Sequence, residues 1–407
     1  MLVYIIYFLL SIIMGLLLCL LSIFNFKIRK NYINSHIQIF KLFHLKSLAH
    51  QNNKKILLFH AASAGEYEQI QPILRSIDRQ KFFIIQTFTS PSIYNQNHDT
   101  SLYDIKLYHP FDIFWLSYLF FKIIHPYKYI ITRHDLWPGH IIIANWFKIS
   151  IYYINANIHK NSIWYKKYFR FLASKLFKKI NQIIVPSEDI LNNVLSIAPS
   201  ASVSVCQDTR FNQIIYLKNN VSINKFKIND EISTNNIIVF GSIDPSDEQV
   251  IFNTLSNINK KKKIILVPHE VDTKNIKRII NKLNNLCLDY SLFTDTGLDL
   301  SKQILLVDTI GLLASLYKLG SHAYVGGGFK RGVHSVLEPA VHGCLISCGP
   351  NIEMLDEAKL LYKQGHLILI NNYDDLLRFI NTDYQSSLYL ENINTIPSEM
   401  INLLIHN

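Results

Sequence analysis

The stretch Lys55-Ile-Leu-Leu-Phe-His-Ala-Ala-Ser-Ala-Gly-Glu66 decides how the rest of the chain is read. Its first half, Lys55–His60, is an apolar run of strand length. Four small residues and a glycine follow, which let a bulky ligand approach the backbone closely. Glu66 then opens an amphipathic segment that runs to Ile77. At the start of that helix the positive end of the backbone favours an ionised carboxylate, available to accept a proton. A carboxylate that merely complements the helix dipole is the competing reading.

The same alternation extends outward in both directions. Further strands are expected at Phe82–Thr87, Lys128–Thr132, Ser150–Ile154 and Gln182–Pro186, with helical stretches between them. A second series follows at Ile237–Phe240, Ile264–Val267, Ile304–Val307, Ala323–Val325 and Leu345–Ser347. The Asn- and Lys-rich stretch from Leu217 to Asn235 separates the two series and reads as a linker. The pattern predicts an α/β protein with two doubly wound, parallel-sheet domains facing a cleft. Such folds bind ligands at the carboxyl ends of their strands, so the loops after the strands carry the chemistry.

The 407 residues carry a formal charge of +11, but the charge is local. Residues 1–65 hold no acid, and seven cations (Lys27, Arg29, Lys30, Lys41, Lys46, Lys54, Lys55) precede Glu66. This argues against a uniformly basic, nucleic-acid-binding surface. Leu2 to Phe24 contains no charged residue and would reach ~34 Å as a helix, enough to cross a bilayer. A cleaved signal peptide fits less well, because the run is long and lacks a basic leading region. Cations after the run and none before it place the bulk of the chain in the cytoplasm. The five cysteines are scattered and odd in number, so neither a disulfide framework nor a zinc site is expected.

Several later loops add candidates. Thr132-Arg-His-Asp-Leu-Trp-Pro138 brings Asp135 to the end of a strand, where helix capping is the alternative use. Gln207-Asp-Thr-Arg-Phe211 offers Arg210, a permanent cation or a solvated surface residue. Pro268-His269 ends one strand of the second series, and Asp308-Thr-Ile-Gly-Leu312 follows another. Gly326-Gly-Gly-Phe-Lys-Arg-Gly-Val-His-Ser-Val-Leu-Glu338 joins a strand, bare glycine amides, two cations and a helix start, a good anion site. Glu338, placed to accept from ribose hydroxyls, makes a nucleotide plausible there, although neither the P-loop nor the dinucleotide fingerprint is present. Lys160 to Lys179 holds seven cations, no acid, and interleaved Trp164, Tyr165, Phe169, Phe171 and Phe177. That composition suits an anionic membrane surface or phosphorylated lipid, or a helix with one buried and one solvated face.

Taken in order, these loops resemble the Kdo transferases, which move 3-deoxy-D-manno-oct-2-ulosonic acid (Kdo) from CMP-Kdo onto the lipid A precursor. The resemblance spans about residues 55–365. Besides the runs above it rests on Thr87-Phe-Thr-Ser-Pro-Ser92, Tyr108-His-Pro-Phe-Asp112, Asn155-Ala156 with Ser162, Gly241-Ser242 and Gly349-Pro350. It implies a glycosyltransferase-B fold of two Rossmann-like domains with one N-terminal transmembrane helix. The implied divisions are an anchor at 1–25, an acceptor-binding domain at 26–216 and a CMP-Kdo-binding domain at 217–407. The extreme C-terminal helix would pack back on the N-terminal domain.

By the same resemblance the reaction inverts the anomeric centre and needs no metal or other cofactor. Glu66 matches the general base, and Asp135 and Arg210 match transition-state stabilisers. Pro268, His269, Ile310, Gly311, Leu312, Ser335, Val336, Leu337 and Glu338 match the CMP-binding segments. Lys166, Lys167 and Arg170 would face the acceptor lipid and the anionic inner membrane, on its cytoplasmic side. The chain departs from the common pattern at Asp135 (commonly Glu), Arg210 (Lys), His269 (Arg), Leu312 (Glu), Ser335 (Asn) and Asn157 (Arg). Leu312, the Gly326–Phe329 run and Pro268-His-Glu270 recur together in one branch of the family; Gln207 and Asn157 fit no such pattern. A transferase of the same fold with another nucleotide sugar, or a non-catalytic lipid-surface protein, are the alternative readings.

Overall fold

The computed structural model describes residues 2–51, 53–95, 100–220, 236–330, 332–383 and 398–405. The chain divides into two units, Met1–Gln213 with Thr395–Asn407, and Ile214–Asn394.

Unit 1 opens with α1 (Leu2–Phe24) and α2 (Phe26–Gln51). Strands and helices then alternate: β1 (Lys55–His60), α3 (Ala64–Ser76), β2 (Phe82–Phe88), α4 (Pro91–Tyr94), β3 (Ile105–Tyr108), α5 (Phe114–Ile124) and β4 (Lys128–Thr132). They continue with α6 (Pro138–Trp146), β5 (Ser150–Ile154), α7 (Lys167–Phe177), β6 (Gln182–Val185), α8 (Glu188–Ile197) and β7 (Val203–Val205), and α9 (Arg210–Asn220) begins in unit 1 and passes into unit 2. The sheet is parallel, in the order β3-β2-β1-β4-β5-β6-β7. Both faces are covered, so the central strands are largely apolar and feed two cores. In β1, Ile56 and Leu58 join one core while Leu57 and Phe59 join the other.

Residues Tyr7–Phe24 of α1 are long and apolar enough to cross a membrane. One stripe of α1 rests on unit 1: Ser11 and Leu18 are buried, and the Tyr7 hydroxyl donates to Asp112 Oδ1 at 2.8 Å. Gly15 lies against Trp115, where a Cβ would come within 2.9 Å of the indole. The other side of α1 is apolar and exposed, from Leu9 to Phe24. Asn25 ends α1, and its side chain accepts the amides of Lys27 and Ile28, starting α2 as an N-cap would. The sequence reading assigned no element to residues 26–51. α2 carries Asn31, whose amide donates to Thr89 O at 2.8 Å, and Gln38, which accepts from Tyr108 N at 2.7 Å.

Unit 2 contains β8 (Ile237–Ile243), α10 (Glu248–Leu255), β9 (Lys263–Pro268), α11 (Thr273–Asn285), β10 (Tyr290–Leu292), α12 (Phe293–Thr296) and β11 (Ile304–Leu306). It continues with α13 (Leu313–Leu316), β12 (His322–Val325), α14 (Leu337–Val341), β13 (Leu345–Cys348), α15 (Asp356–Lys363), β14 (Leu367–Leu369) and α16 (Tyr373–Ile380). Its sheet runs β10-β11-β9-β8-β12-β13-β14, again parallel. Strand β8 outlasts its expected end at Phe240, because an irregularity between Phe240 and Ile243 carries the pairing on to Pro268. Of the expected linker, 217–220 belongs to α9, and 221–235 lies outside the described residues.

The last helix, α17 (Ser398–Ile405), belongs to unit 1. Met400 and Leu404 are buried in the core beside β1, and the Lys128 ammonium donates to Leu403 O at 3.0 Å. A cation at the carbonyl end of a helix satisfies an orphan acceptor.

Candidate active site

In each sheet the strand order reverses beside the first strand: between β1 and β4 in unit 1, and between β8 and β12 in unit 2. The crevice outside the carboxyl ends of such strands is where doubly wound folds bind ligands. The first turn of α3, just after β1, carries Glu66, and the loop after β4 carries Asp135.

Ser63 caps α3, and Glu66 completes a capping box with it. The carboxylate Oε2 accepts from the Ala62 amide at 2.6 Å and the Ser63 amide at 3.3 Å. Glu66 is buried, and burial pushes its pKa above the ordinary value. His60 and the two amides pull the other way, and Asp135 adds to the rise. The expected preference for the ionised form at a helix start is therefore outweighed by desolvation. The result is a stronger base than an exposed glutamate.

Asp135 does not cap α6; that position is Trp137, which makes no side-chain cap. Its Oδ2 instead accepts from His60 Nε2 at 2.8 Å and from Thr89 Oγ1 at 2.9 Å. Burial opposes its charge, but the bond and charge of His60, with bonds from Trp137 and Thr89, win and hold the pKa at about 2. Two neighbouring carboxyls are thus driven apart, Asp135 down and Glu66 up, the arrangement that divides electrostatic and proton-transfer roles.

Arg210 begins α9, and its amide donates to Asp208 Oδ1 at 2.8 Å. The same carboxylate oxygen accepts from Gln69 Nε2 at 2.5 Å, one turn after Glu66. Thr209 donates its hydroxyl to Gln69 O and accepts from Asn155 Nδ2 at 2.9 Å. These bonds tie the Arg210 segment to α3 and to the loop after β5. Arg133 and Asn155, the residues following β4 and β5, have φ of 58° and 50°. Left-handed backbone at non-glycine residues costs energy and clusters at sites that need a fixed loop. His60, Thr89, Gln69 and Asn155 received no role from sequence; the Thr87/Thr89 spacing beside the His60 loop was the available signal.

In unit 2, Ser242 follows Gly241 with φ of 55° and lies 2.8 Å from His269 Nδ1. The His269 ring stacks on His334 at 4.1 Å, so this histidine is not isolated at its strand end. The glycine loop is not a set of bare amides. Gly326 N donates to Gly241 O at 2.9 Å, and Gly327 N to the buried Asp247 carboxylate at 2.8 Å. Its glycines are needed for close backbone approach: a Cβ on Gly326 would lie 2.3 Å from Ser242 O. Arg331 lies outside the described residues. Val336 and Leu337 are buried in unit 2, so only their backbones are available to a ligand. Ile310 is 81% exposed and Gly311 is left-handed at φ 85°, ahead of α13, whose Leu313 packs near Gly241. Glu338 lies close enough to the buried Tyr317 to reinforce the rise that burial imposes on that phenol.

On α7 and the turn before it the aromatics divide. Trp164 and Phe177 pack inward, while Phe169 and Phe171 face outward with Lys166 and Lys167. Arg170 donates to Ser196 O at 2.6 Å and lies over the Tyr165 ring, so part of its capacity serves the fold.

The family described as "3-Deoxy-D-manno-octulosonic-acid transferase (kdotransferase)" matches residues 38–213. Among curated proteins, the 3-deoxy-D-manno-octulosonic acid transferase of Rickettsia prowazekii is 27% identical over 86% of this chain and 77% of its own length. That of Aquifex aeolicus is 26% identical over 80% of this chain and 85% of its own. Among solved structures, the UDP-GlcNAc 2-epimerase of Neisseria meningitidis covers 87% of this chain and 100% of its own, with TM-score 0.56 and 15% identity. That likeness concerns the fold alone, which is of the glycosyltransferase-B type.

Proposed function

We propose that the chain is a member of the 3-deoxy-D-manno-octulosonic acid (Kdo) transferase family, which the match over residues 38–213 and the relatives above support, and that it transfers Kdo from CMP-Kdo to a lipid A precursor in lipopolysaccharide core assembly. The observation that carries the reading is the pair of carboxyls at the switch point of unit 1, Asp135 bonded to His60 and Thr89 and Glu66 to the Ala62 and Ser63 amides. In the proposed reaction the acceptor hydroxyl gives its proton to Glu66. Its oxygen bonds to the anomeric carbon of Kdo as the bond to the CMP phosphate breaks. CMP leaves with the electron pair, and attack from the opposite face inverts the centre. Asp135 stabilises positive charge on the sugar, and Arg210 supplies a permanent cation for negative charge.

Donor binding is assigned to unit 2, through Pro268-His269, Ile310–Leu312 and Ser335–Glu338. CMP is a monophosphate leaving group, which amides and cations suffice to stabilise, so no metal is required in this scheme. The apolar outer side of α1 and the cations that follow it support attachment to the inner membrane with the catalytic units on the cytoplasmic side. The outward Lys166, which caps α7, and Lys167, Phe169 and Phe171 on it supply charge and apolar contact for the acceptor lipid.

The deciding experiment incubates the purified full chain with CMP-Kdo and tetra-acylated lipid A precursor in detergent and reads the product by mass spectrometry. A gain of one or more Kdo units is expected. No gain with fresh donor would overturn the reading. A gain only with another nucleotide sugar would reassign the donor, and lipid binding without transfer would point to a non-catalytic role.

A further inference from the structure

Two glycines seat α1 on unit 1. Gly15 faces Trp115 of α5, where a Cβ would come within 2.9 Å of the indole. Gly139, in the first turn of α6, lies beneath Tyr7, whose hydroxyl a side chain there would strike. The Tyr7 hydroxyl donates to Asp112 Oδ1 at 2.8 Å, and the Gly139 amide donates to the other oxygen of the same carboxylate at 2.9 Å. The Phe8 ring meets Phe114 edge to face at 5.2 Å. Farther along, Leu18 shares a small core with Ile28, Tyr32 and Ile39 of α2 and Leu116 of α5. At a rise of 1.5 Å per residue, Tyr7 and Phe24 lie ~26 Å apart along the helix. Were α1 to stand across a bilayer with Phe24 at one surface, Tyr7 would sit near the other. The Asp112 carboxylate and the first turn of α6 would then have to enter the hydrocarbon or give up the bond.

We infer that α1, in place of the expected crossing, lies along one leaflet while still seated on unit 1, and that with α2 and α5 it forms a monotopic face for an anionic lipid surface. The sides of these helices turned away from unit 1 fit that occupant. The outward side of α1 is apolar from Leu9 to Phe24. Helix α2 exposes Phe26, Ile33, Ile37 and Phe40 at helical spacing, while Asn31 and Leu42 on its other side are buried. Helix α5 adds Trp115 and Leu119, one turn apart, and Trp146 ends α6 exposed. Apolar surface of this extent is foreign to a face bathed in water. Lys27, Arg29 and Lys41 are exposed along α2, and residues 1–65 hold no acid, which suits anionic headgroups. Helices with one apolar side, flanking cations and tryptophan bind in the plane of the interface. Asp135 lies just ahead of Gly139 in sequence, so the seat of Tyr7 brings the Asp135 loop beside the leaflet that would hold a lipid acceptor. The in-plane path rests on the reading of α1 as the membrane attachment, not on the reaction assigned to the site.

Protease access to a short N-terminal epitope on the full chain, compared between intact spheroplasts and inverted inner-membrane vesicles, tests the path of α1. Digestion in the inverted vesicles alone is expected. Digestion in spheroplasts would show that the N-terminus has crossed, and would overturn the in-plane path while leaving the attachment intact. Recovery of the chain in the soluble fraction would overturn the attachment with it. The second measurement is the tryptophan fluorescence of the purified full chain in vesicles of phosphatidylglycerol and phosphatidylcholine with brominated acyl chains, which quench only at close range. Trp115 and Trp146 are two of the four tryptophans. Quenching is expected, and Trp115→Phe and Trp146→Phe should each lower the quenched share. A quenched share unchanged in both variants would place α5 and the end of α6 away from lipid and overturn the proposed face. Neither result depends on Kdo transfer.

Discussion

At the scale of single residues, the two carboxyls of unit 1 respond oppositely to similar burial, because their hydrogen-bond partners differ. Asp135 takes donors from His60 and Thr89, whereas Glu66 takes two backbone amides and the residual cost of desolvation. Glu66→Gln keeps the size and the capping geometry and removes the base. Kdo transfer is expected to fall by ~10²–10⁴-fold, measured by initial rates, with the melting temperature close to that of the unaltered chain. Asp135 carries a stability consequence with a definite sign. Its folded pKa of about 2 lies below the ordinary carboxyl value, so its contribution is present above about pH 4 and is lost as pH falls toward 2. The contribution is on the order of 2 kcal/mol. Denaturant titrations of Asp135→Asn and the unaltered chain should therefore differ at pH 6 and converge as pH approaches 2. A constant difference would refute the linkage. Neither the opposition of the two groups nor the place of His60 between them was legible in sequence, since the pairing joins residues 75 positions apart.

At the scale of elements, two glycines separate packing from ligand access. Gly326→Ala places a methyl against the backbone of Ser242 and Ile243, which cannot rotate away. A loss of about 1–3 kcal/mol is expected, together with weakened CMP binding by calorimetry. Gly65 has no atom within 4 Å of a built Cβ, so Gly65→Ala should fold with stability unchanged or slightly raised. If the small-residue loop before Glu66 admits the acceptor sugar, the same variant loses transfer activity; full activity would show that the loop needs no such room. The basic helix makes a further prediction. Replacing Lys166, Lys167 and Arg170 with Gln should weaken binding to anionic vesicles and to the acceptor, most clearly at low salt, and leave CMP binding unchanged. Because Arg170 also bonds Ser196 O, the double replacement of Lys166 and Lys167 should give the vesicle effect without loss of stability.

At the scale of the whole molecule, the end of the chain returns to unit 1. Removing residues 398–407 exposes the sites of Met400 and Leu404 and strips Lys128 of its Leu403 partner. Burial of two such side chains is worth ~3–6 kcal/mol, and denaturant unfolding of the truncated chain should show a loss of that order. A negligible loss would mean that α17 adds little to the unit. The sequence by itself determined the apolar N-terminal helix, the central strands and the order of the loops, because each is written in local hydrophobic runs and local turn chemistry. The strands that sequence reading passed over, β3, β7, β10 and β14, are the four sheet edges. They are three or four residues long, and position beside a neighbour, not composition, makes them strands. Only the tertiary structure decided that His60 meets Asp135, that Asp247 takes the Gly327 amide and that α17 covers unit 1. Each depends on which strand ends lie side by side or on chain returning from far away, and no local periodicity encodes that adjacency.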